Sequence, residues 1–173
     1  MKIGVMCSGN GTNFENIVTL CSNHEVVMMI HNKEKCGAVE RAERLNIPHI
    51  YCKSSHYDKI ISILKSKKVD LVVLAGWMRI VTPKFISSFE KIINVHPSLL
   101  PKYKGLNAVN QALDSDDIIT GCTVHYVTEE LDSGKIIEQS VVPICPDDTV
   151  ESLTQRVQQA EHRLLPMVIN NLI

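Results

Sequence analysis

Asn94-Val95-His96-Pro97-Ser98-Leu99-Leu100-Pro101 sets an amide and an imidazole two residues apart at the end of an apolar stretch. A carboxamide can donate to a developing oxyanion, and an imidazole moves protons near neutral pH. If a strand over Lys91–Val95 persists one residue further, its alternation puts Asn94 and His96 on the same side, where both can reach one reacting group. Pro97 and Pro101 stiffen the turn that follows. The competing reading is a loop histidine with its hydrogen bonds satisfied. Asp132 is a further candidate, because a carboxylate beside an imidazole raises its pKa and orients it. From spacing alone a solvated turn acid, like Glu129 and Glu130, is the favoured reading. His125, on a predicted strand, reads as core or rim.

Ser8-Gly9-Asn10-Gly11-Thr12-Asn13 is a second constellation. Two glycines allow a tight turn directly after an apolar strand, and Thr12 or Asn13 stands where a helix begins, so backbone N–H groups can hold an anion. The third glycine of a dinucleotide fingerprint is missing and no Gly-Lys-Ser/Thr follows, so a single phosphate monoester fits better than a dinucleotide, with a plain strand-to-helix turn as the competing reading. Leu74-Ala75-Gly76-Trp77-Met78-Arg79-Ile80-Val81 can wall a pocket for a flat ring, or can simply be a core segment ending in a surface Arg. Gln158 and Glu161, three apart, share one helix face; by spacing alone that is a solvated face.

The elements that must position these residues alternate from the start. Lys2–Cys7, Val26–Ile30, His49–Cys52, Asp70–Ala75 and Lys91–Val95 read as strands. Asn13–Cys21, Ala38–Leu45, Tyr57–Ser66, a turn opened by Pro83, and Asn107–Leu113 read as helices. Two longer strands, Cys122–Thr128 and Lys135–Ile144, follow. The terminal helix Thr149–Leu172 has Asp148 and Glu151 at capping-box spacing and Pro166 inside it as a kink. Such β-α-β alternation predicts a parallel sheet in the first half and a mixed sheet afterwards, in one domain.

The 173 residues, with 18 Lys+Arg against 19 Asp+Glu, bound the function further. A net charge of −1 gives no basic field for general nucleic-acid binding. No apolar run approaches the ~20 residues of a membrane helix. Met1–Cys7 meets a Gly-rich turn at once, so a signal peptide is not expected. Six cysteines without metal-ligand spacing are expected to be reduced thiols in a cytoplasmic protein, with no metal.

Taken together, these motifs resemble the phosphoribosylglycinamide formyltransferases, the folate-dependent transformylases of purine synthesis. The resemblance covers nearly the whole chain. It rests on the Ser8–Asn13 loop, on Leu74–Ile80 with Trp77 where Phe is usual, and on Asn94–Tyr103 as NxHPSLLPxY. Gly121–Val127 with Leu131-Asp132, and Arg156-Val157-Gln158 with Glu161-His162, complete it. It implies an α/β single-domain formyltransferase fold over residues 1–173: a Rossmann-like, mostly parallel twisted sheet with a mixed C-terminal part, flanked by helices. The N-terminal half would bind phosphate, and the C-terminal half would hold the catalytic and folate-binding residues.

By the same resemblance, Gly11, Thr12 and Asn13 would hold the substrate phosphate, with Gln158 and Glu161 near its glycinamide end. Met78, Arg79, Ile80, Val81 and Asn94 would meet the 10-formyltetrahydrofolate co-substrate. His96, Asn94 and Asp132 would be catalytic, with no metal. Small molecules would be the only partners of a monomer or homodimer, without nucleic acid or membrane. Ile50–Val69 is shorter than in that family, and Lys53 and Ser54 stand where an Arg often precedes the Tyr57-Asp58 pair. Formyltransferases acting on methionyl-tRNA or amino sugars, a formyltetrahydrofolate hydrolase and a non-catalytic binding module are the alternatives.

Overall fold

The continuous apolar runs in the first half do become strands covered on both faces, and they pair in parallel. The computed structural model describes residues 1–172. In chain order the elements are β1 (Lys2–Cys7), α1 (Thr12–Leu20), β2 (Glu25–His31), α2 (Gly37–Arg44), β3 (His49–Tyr51), α3 (Tyr57–Ser66) and β4 (Leu71–Leu74). There follow α4 (Pro83–Ser87), β5 (Ile92–His96), α5 (Ala108–Leu113), β6 (Ile119–Tyr126), β7 (Ile136–Pro143) and α6 (Val150–Asn171). The seven-stranded sheet has the order β3-β2-β1-β4-β5-β6-β7. The pairs β1–β2, β1–β4, β2–β3 and β4–β5 are parallel and β6–β7 is antiparallel. The chain divides into two compact units, Met1–Asn94 and Val95–Ile173, with β5 crossing the boundary.

In the first unit, Ile3, Val5, Leu71, Val72 and Val73 are fully buried, and Phe14, Ile17, Ile60 and Leu64 pack from α1 and α3. Removing a fully buried ring such as that of Phe14 costs about 3–5 kcal/mol in comparable cores. Thr82 caps α4 by accepting from the Phe85 N–H, with Pro83 in the first turn as expected. Strand β1 lies between β2 and β4, so the connections leaving β1 and β4 diverge at their carboxyl ends. That divergence opens the crevice where open α/β sheets bind ligands.

The second unit departs from the sequence reading in two places. Strand β6 begins at Ile119, three residues before the expected Cys122, because Ile119–Gly121 pair with Val141–Pro143. Gly121 lies where any Cβ would come within 1.9 Å of the Ser140 carbonyl oxygen. The capping box of α6 is Thr149 with Ser152, not Asp148 with Glu151. Asp148 accepts instead from the Cys145 N–H and the Ser152 hydroxyl, and bidentately from Arg156 at 2.6 Å. Arg156 also donates to the Pro143 carbonyl, which ties the first turns of α6 to the end of β7.

Among the described residues no helix is long and apolar enough to cross a membrane. All six cysteines are free thiols: Cys7, Cys21, Cys52 and Cys122 are buried, Cys36 is half-buried and Cys145 is exposed.

The Arg156 guanidinium, with the Cys145 and Ser152 donors, holds the Asp148 carboxyl well below the usual carboxylate range. Its stabilising effect is therefore present above the unfolded-state pKa of about 4 and fades as pH falls below it. Arg156→Ala is expected to lower the thermal midpoint at pH 7. The difference from wild type should narrow on acidification to about pH 3, below that unfolded pKa, as read by thermal melts at the two pH values.

Candidate functional site

The first group lies at the carboxyl ends of β1 and β4. Gly11 is the N-cap of α1 in the left-handed region (φ 78°) and brings no side-chain acceptor to the helix start. Its close approach to α2 requires glycine, since a Cβ would lie 2.6 Å from the Ala38 Cα. The Ala38 N–H donates to the Gly9 carbonyl, and Arg41 Nε donates to the Asn10 carbonyl. Arg41 and Arg44 both pair with Glu15 in the first turn of α1, and hydrogen bonds from Arg44 and then Arg41 hold its carboxyl below the usual value. The one acidic side chain of that turn is thus neutralised beside a loop suited to an anion. Gly11, Thr12 and Asn13 are all half-buried on this loop.

Ser8 joins the loop to the segment after β4. Fully buried, it donates its N–H to the Gly76 carbonyl at 3.0 Å and accepts from the Met78 N–H at 2.9 Å through Oγ. Trp77 is buried and donates to the Tyr57 hydroxyl, which donates to the Ile80 carbonyl. Met78 and Ile80 remain 65% and 69% exposed and Arg79 is exposed, while Val81 is buried. This is not a core segment with one surface Arg. A hydrogen-bonded backbone leaves two large apolar side chains, Met78 and Ile80, exposed.

The second group is centred on His96, the last residue of β5. His96 is 6% exposed, and its Nε2 lies 2.8 Å from the Tyr103 carbonyl oxygen. A carbonyl only accepts, so Nε2 carries a proton and Nδ1 is the nitrogen that can gain or lose one. Nδ1 faces Asp132 Oδ2 at 3.4 Å. Asp132 is not a solvated turn acid. It adopts φ 49°, its side chain is 7% exposed, and Oδ2 accepts from the Gly105 N–H at 2.8 Å.

On the other side of this carboxylate, His125 Nε2 stands 3.8 Å from Oδ1. His125 Nδ1 donates to the Tyr126 carbonyl at 2.9 Å. Burial pushes its pKa below the ordinary imidazole value, against the opposing pull of that carbonyl and of Asp132. The loop after His96 is fastened by Thr123, which donates to the Ser98 carbonyl and accepts from the Leu100 N–H and from Gln139 Nε2.

Asn94 is half-buried on β5, two residues before His96 on the same strand. On α6, Gln158 is exposed but Glu161 is 8% exposed, so the pair is not the solvated face that spacing suggests. The Cys122 thiol is pushed up to about 12, first by burial and then by the nearby Glu161 charge. Sequence reasoning gave no part to the Arg41 and Arg44 pairs with Glu15 or to the Trp77–Tyr57 hydrogen bond, whose partners are distant in sequence.

Residues 1–169 match the formyl transferase family, and the chain belongs to it. Over 180 residues it is 41% identical to a phosphoribosylglycinamide formyltransferase of Haemophilus influenzae, with 97% of this chain and 85% of that protein covered. It is 40% identical to part of a trifunctional purine biosynthetic protein adenosine-3 of Chironomus tentans, but spans only 13% of that protein's length. The crystal structure of a phosphoribosylglycinamide formyltransferase from Anaplasma phagocytophilum superposes with a TM-score of 0.95 at 40% identity, covering 98% of this chain and 85% of that one. One from Bacillus halodurans gives 0.93 at 38%, covering 98% and 94%.

Gly11→Ala forces a side chain into the left-handed region and against α2. Misplacing one residue in this way costs about 1–3 kcal/mol. A fall of several degrees in thermal midpoint is expected, while Gly9→Ala, whose Cβ would meet nothing within 4 Å, should leave the midpoint nearly unchanged.

Proposed function

We propose that the chain transfers the formyl group of 10-formyltetrahydrofolate to the glycinamide amine of 5′-phosphoribosylglycinamide. The products are the formylated ribonucleotide and tetrahydrofolate, a step of purine synthesis. The observation that carries the reading is the His96 geometry: one ring nitrogen tied to a carbonyl, the other aimed at a buried carboxylate. It is supported by family membership and by the names of the relatives.

In this reading Gly11, Thr12 and Asn13 take the phosphate, and Gln158 and Glu161 lie toward the glycinamide end. Met78, Arg79, Ile80, Val81 and Asn94 meet the folate. The co-substrate supplies an activated formyl carbon. As the amine adds to that carbon, Asn94 and the protonated His96 stabilise the oxyanion that develops. His96 Nδ1 carries a proton between the attacking amine and the departing folate nitrogen, so the transfer consumes no net proton within the site. Asp132 favours the imidazolium that forms. His125, its pKa lowered by burial and its Nδ1 committed to Tyr126, is left out of the relay.

The test is formyl transfer with both substrates, the products identified by mass, and a water-only control beside it. Wild type is expected to give the formylated ribonucleotide. His96→Ala and Asp132→Ala should fold and lose about 10²–10⁴-fold in turnover, the usual contribution of a positioned acid–base group. Near-normal turnover in either variant removes that residue from the mechanism. Tetrahydrofolate released with free formate would identify a hydrolase instead.

A further inference from the structure

The Tyr103 carbonyl that fixes the His96 tautomer does not hold itself in place. Tyr103 sits in the left-handed region (φ 56°), in a loop made of Pro97, Ser98 and the residues up to Gly105. Two anchors set its position. On the inner side, Ser98, fully buried, donates through Oγ to the Lys102 carbonyl at 2.6 Å and, longer, to the Tyr103 carbonyl at 3.4 Å. On the outer side, the Tyr103 hydroxyl donates to Asp117 Oδ2 at 2.6 Å. Lys102 Nζ reaches both carboxylate oxygens of Asp117, at 2.8 and 2.9 Å. Asp117 is fixed in turn where its N–H donates to Ser115 Oγ beyond the end of α5.

We infer that Asp117 and Tyr103 are positioning residues for the acid–base step. Asp117 grips the Tyr103 phenol and the Lys102 ammonium, so that the Tyr103 carbonyl stays on His96 Nε2–H and Nδ1 is left facing Asp132. Neither residue needs to touch the reacting atoms. A backbone carbonyl is suited to this task because it accepts at every pH and cannot compete for the proton being moved. An unclamped imidazole would divide between two neutral tautomers, only one of which presents a lone pair to the Asp132 side. The inference rests on the function proposed above, but its first measurement does not.

That measurement is the imidazole ¹⁵N spectrum of His96 in the ligand-free protein, assigned by comparison with His96→Gln. Wild type should show neutral His96 protonated at Nε2. In Tyr103→Phe and in Asp117→Ala the two nitrogen shifts should move toward each other as the tautomers mix. A wild-type imidazole protonated at Nδ1, or variants with unchanged shifts, would overturn the clamp whatever the protein catalyses.

Steady-state formyl transfer is the second readout. Tyr103→Phe should lower kcat about tenfold, a fraction of what a general acid–base group supplies, with KM for both substrates within about a factor of two. The limbs of the pH–rate profile should move relative to wild type, because the tether that holds the imidazole's Nε2 proton is cut. The double variant should be no worse than the poorer single one, since both cut the same tether. An unshifted limb with wild-type kcat, or losses that multiply, would overturn the proposal. If wild type gives no formyl transfer, the functional reading fails, and the nitrogen spectrum still decides the clamp.

Discussion

A carboxylate that is 7% exposed must have its charge met by the protein, and three groups of the C-terminal unit face that of Asp132. Gly105 supplies a backbone N–H, and two imidazoles face its oxygens from different strands. The two histidines are inequivalent because each commits a different ring nitrogen to a carbonyl. His125 donates through Nδ1 to its own neighbour's carbonyl, and its burial disfavours a second proton. His96 donates through Nε2 across seven residues of loop, and its Nδ1 is the nearer to the carboxylate. One acid thus lies between an imidazole whose pKa burial lowers and an imidazole tied through Nε2 to a loop carbonyl.

The other chemically loaded loop obeys a different constraint, one of space rather than charge. Gly11 permits α1 and α2 to meet almost backbone to backbone, and the Arg41 and Arg44 pairs with Glu15 hold the contact from outside. Ser8 then ties this loop to the strand-end segment carrying Met78 and Ile80 through two hydrogen bonds that involve no exposed atom of its own. The position is the one predicted by topology, where connections diverge from neighbouring parallel strands.

The parallel half was legible because its signals are local. Apolar runs such as Leu71–Leu74, the Gly-containing turn after Cys7 and Pro83 at a helix start each state their conformation within a few residues. The tyrosine-to-aspartate and arginine-to-glutamate contacts were illegible for the opposite reason: Tyr103 and Asp117, or Glu15 and Arg41, have no spacing that marks them as partners. Asp132 shows the limit most clearly. Beside Glu129 and Glu130 it reads as one more turn acid, whereas the structure shows a left-handed residue with a side chain only 7% exposed. Glu161 was concealed likewise, since i,i+3 spacing defines a face but not what the face meets.

Arg156 has a geometric consequence beyond capping. By bridging the Pro143 carbonyl and Asp148 it pins the first turns of α6 to the end of β7. An α-helix advances about 1.5 Å per residue, so Glu161, five residues on, sits a fixed distance of roughly 7.5 Å further along the axis. The bridge therefore works as an index mark on a ruler. It decides which turn of a 22-residue rod is read against the sheet, and a slip of one turn would present a different side chain where Glu161 now stands.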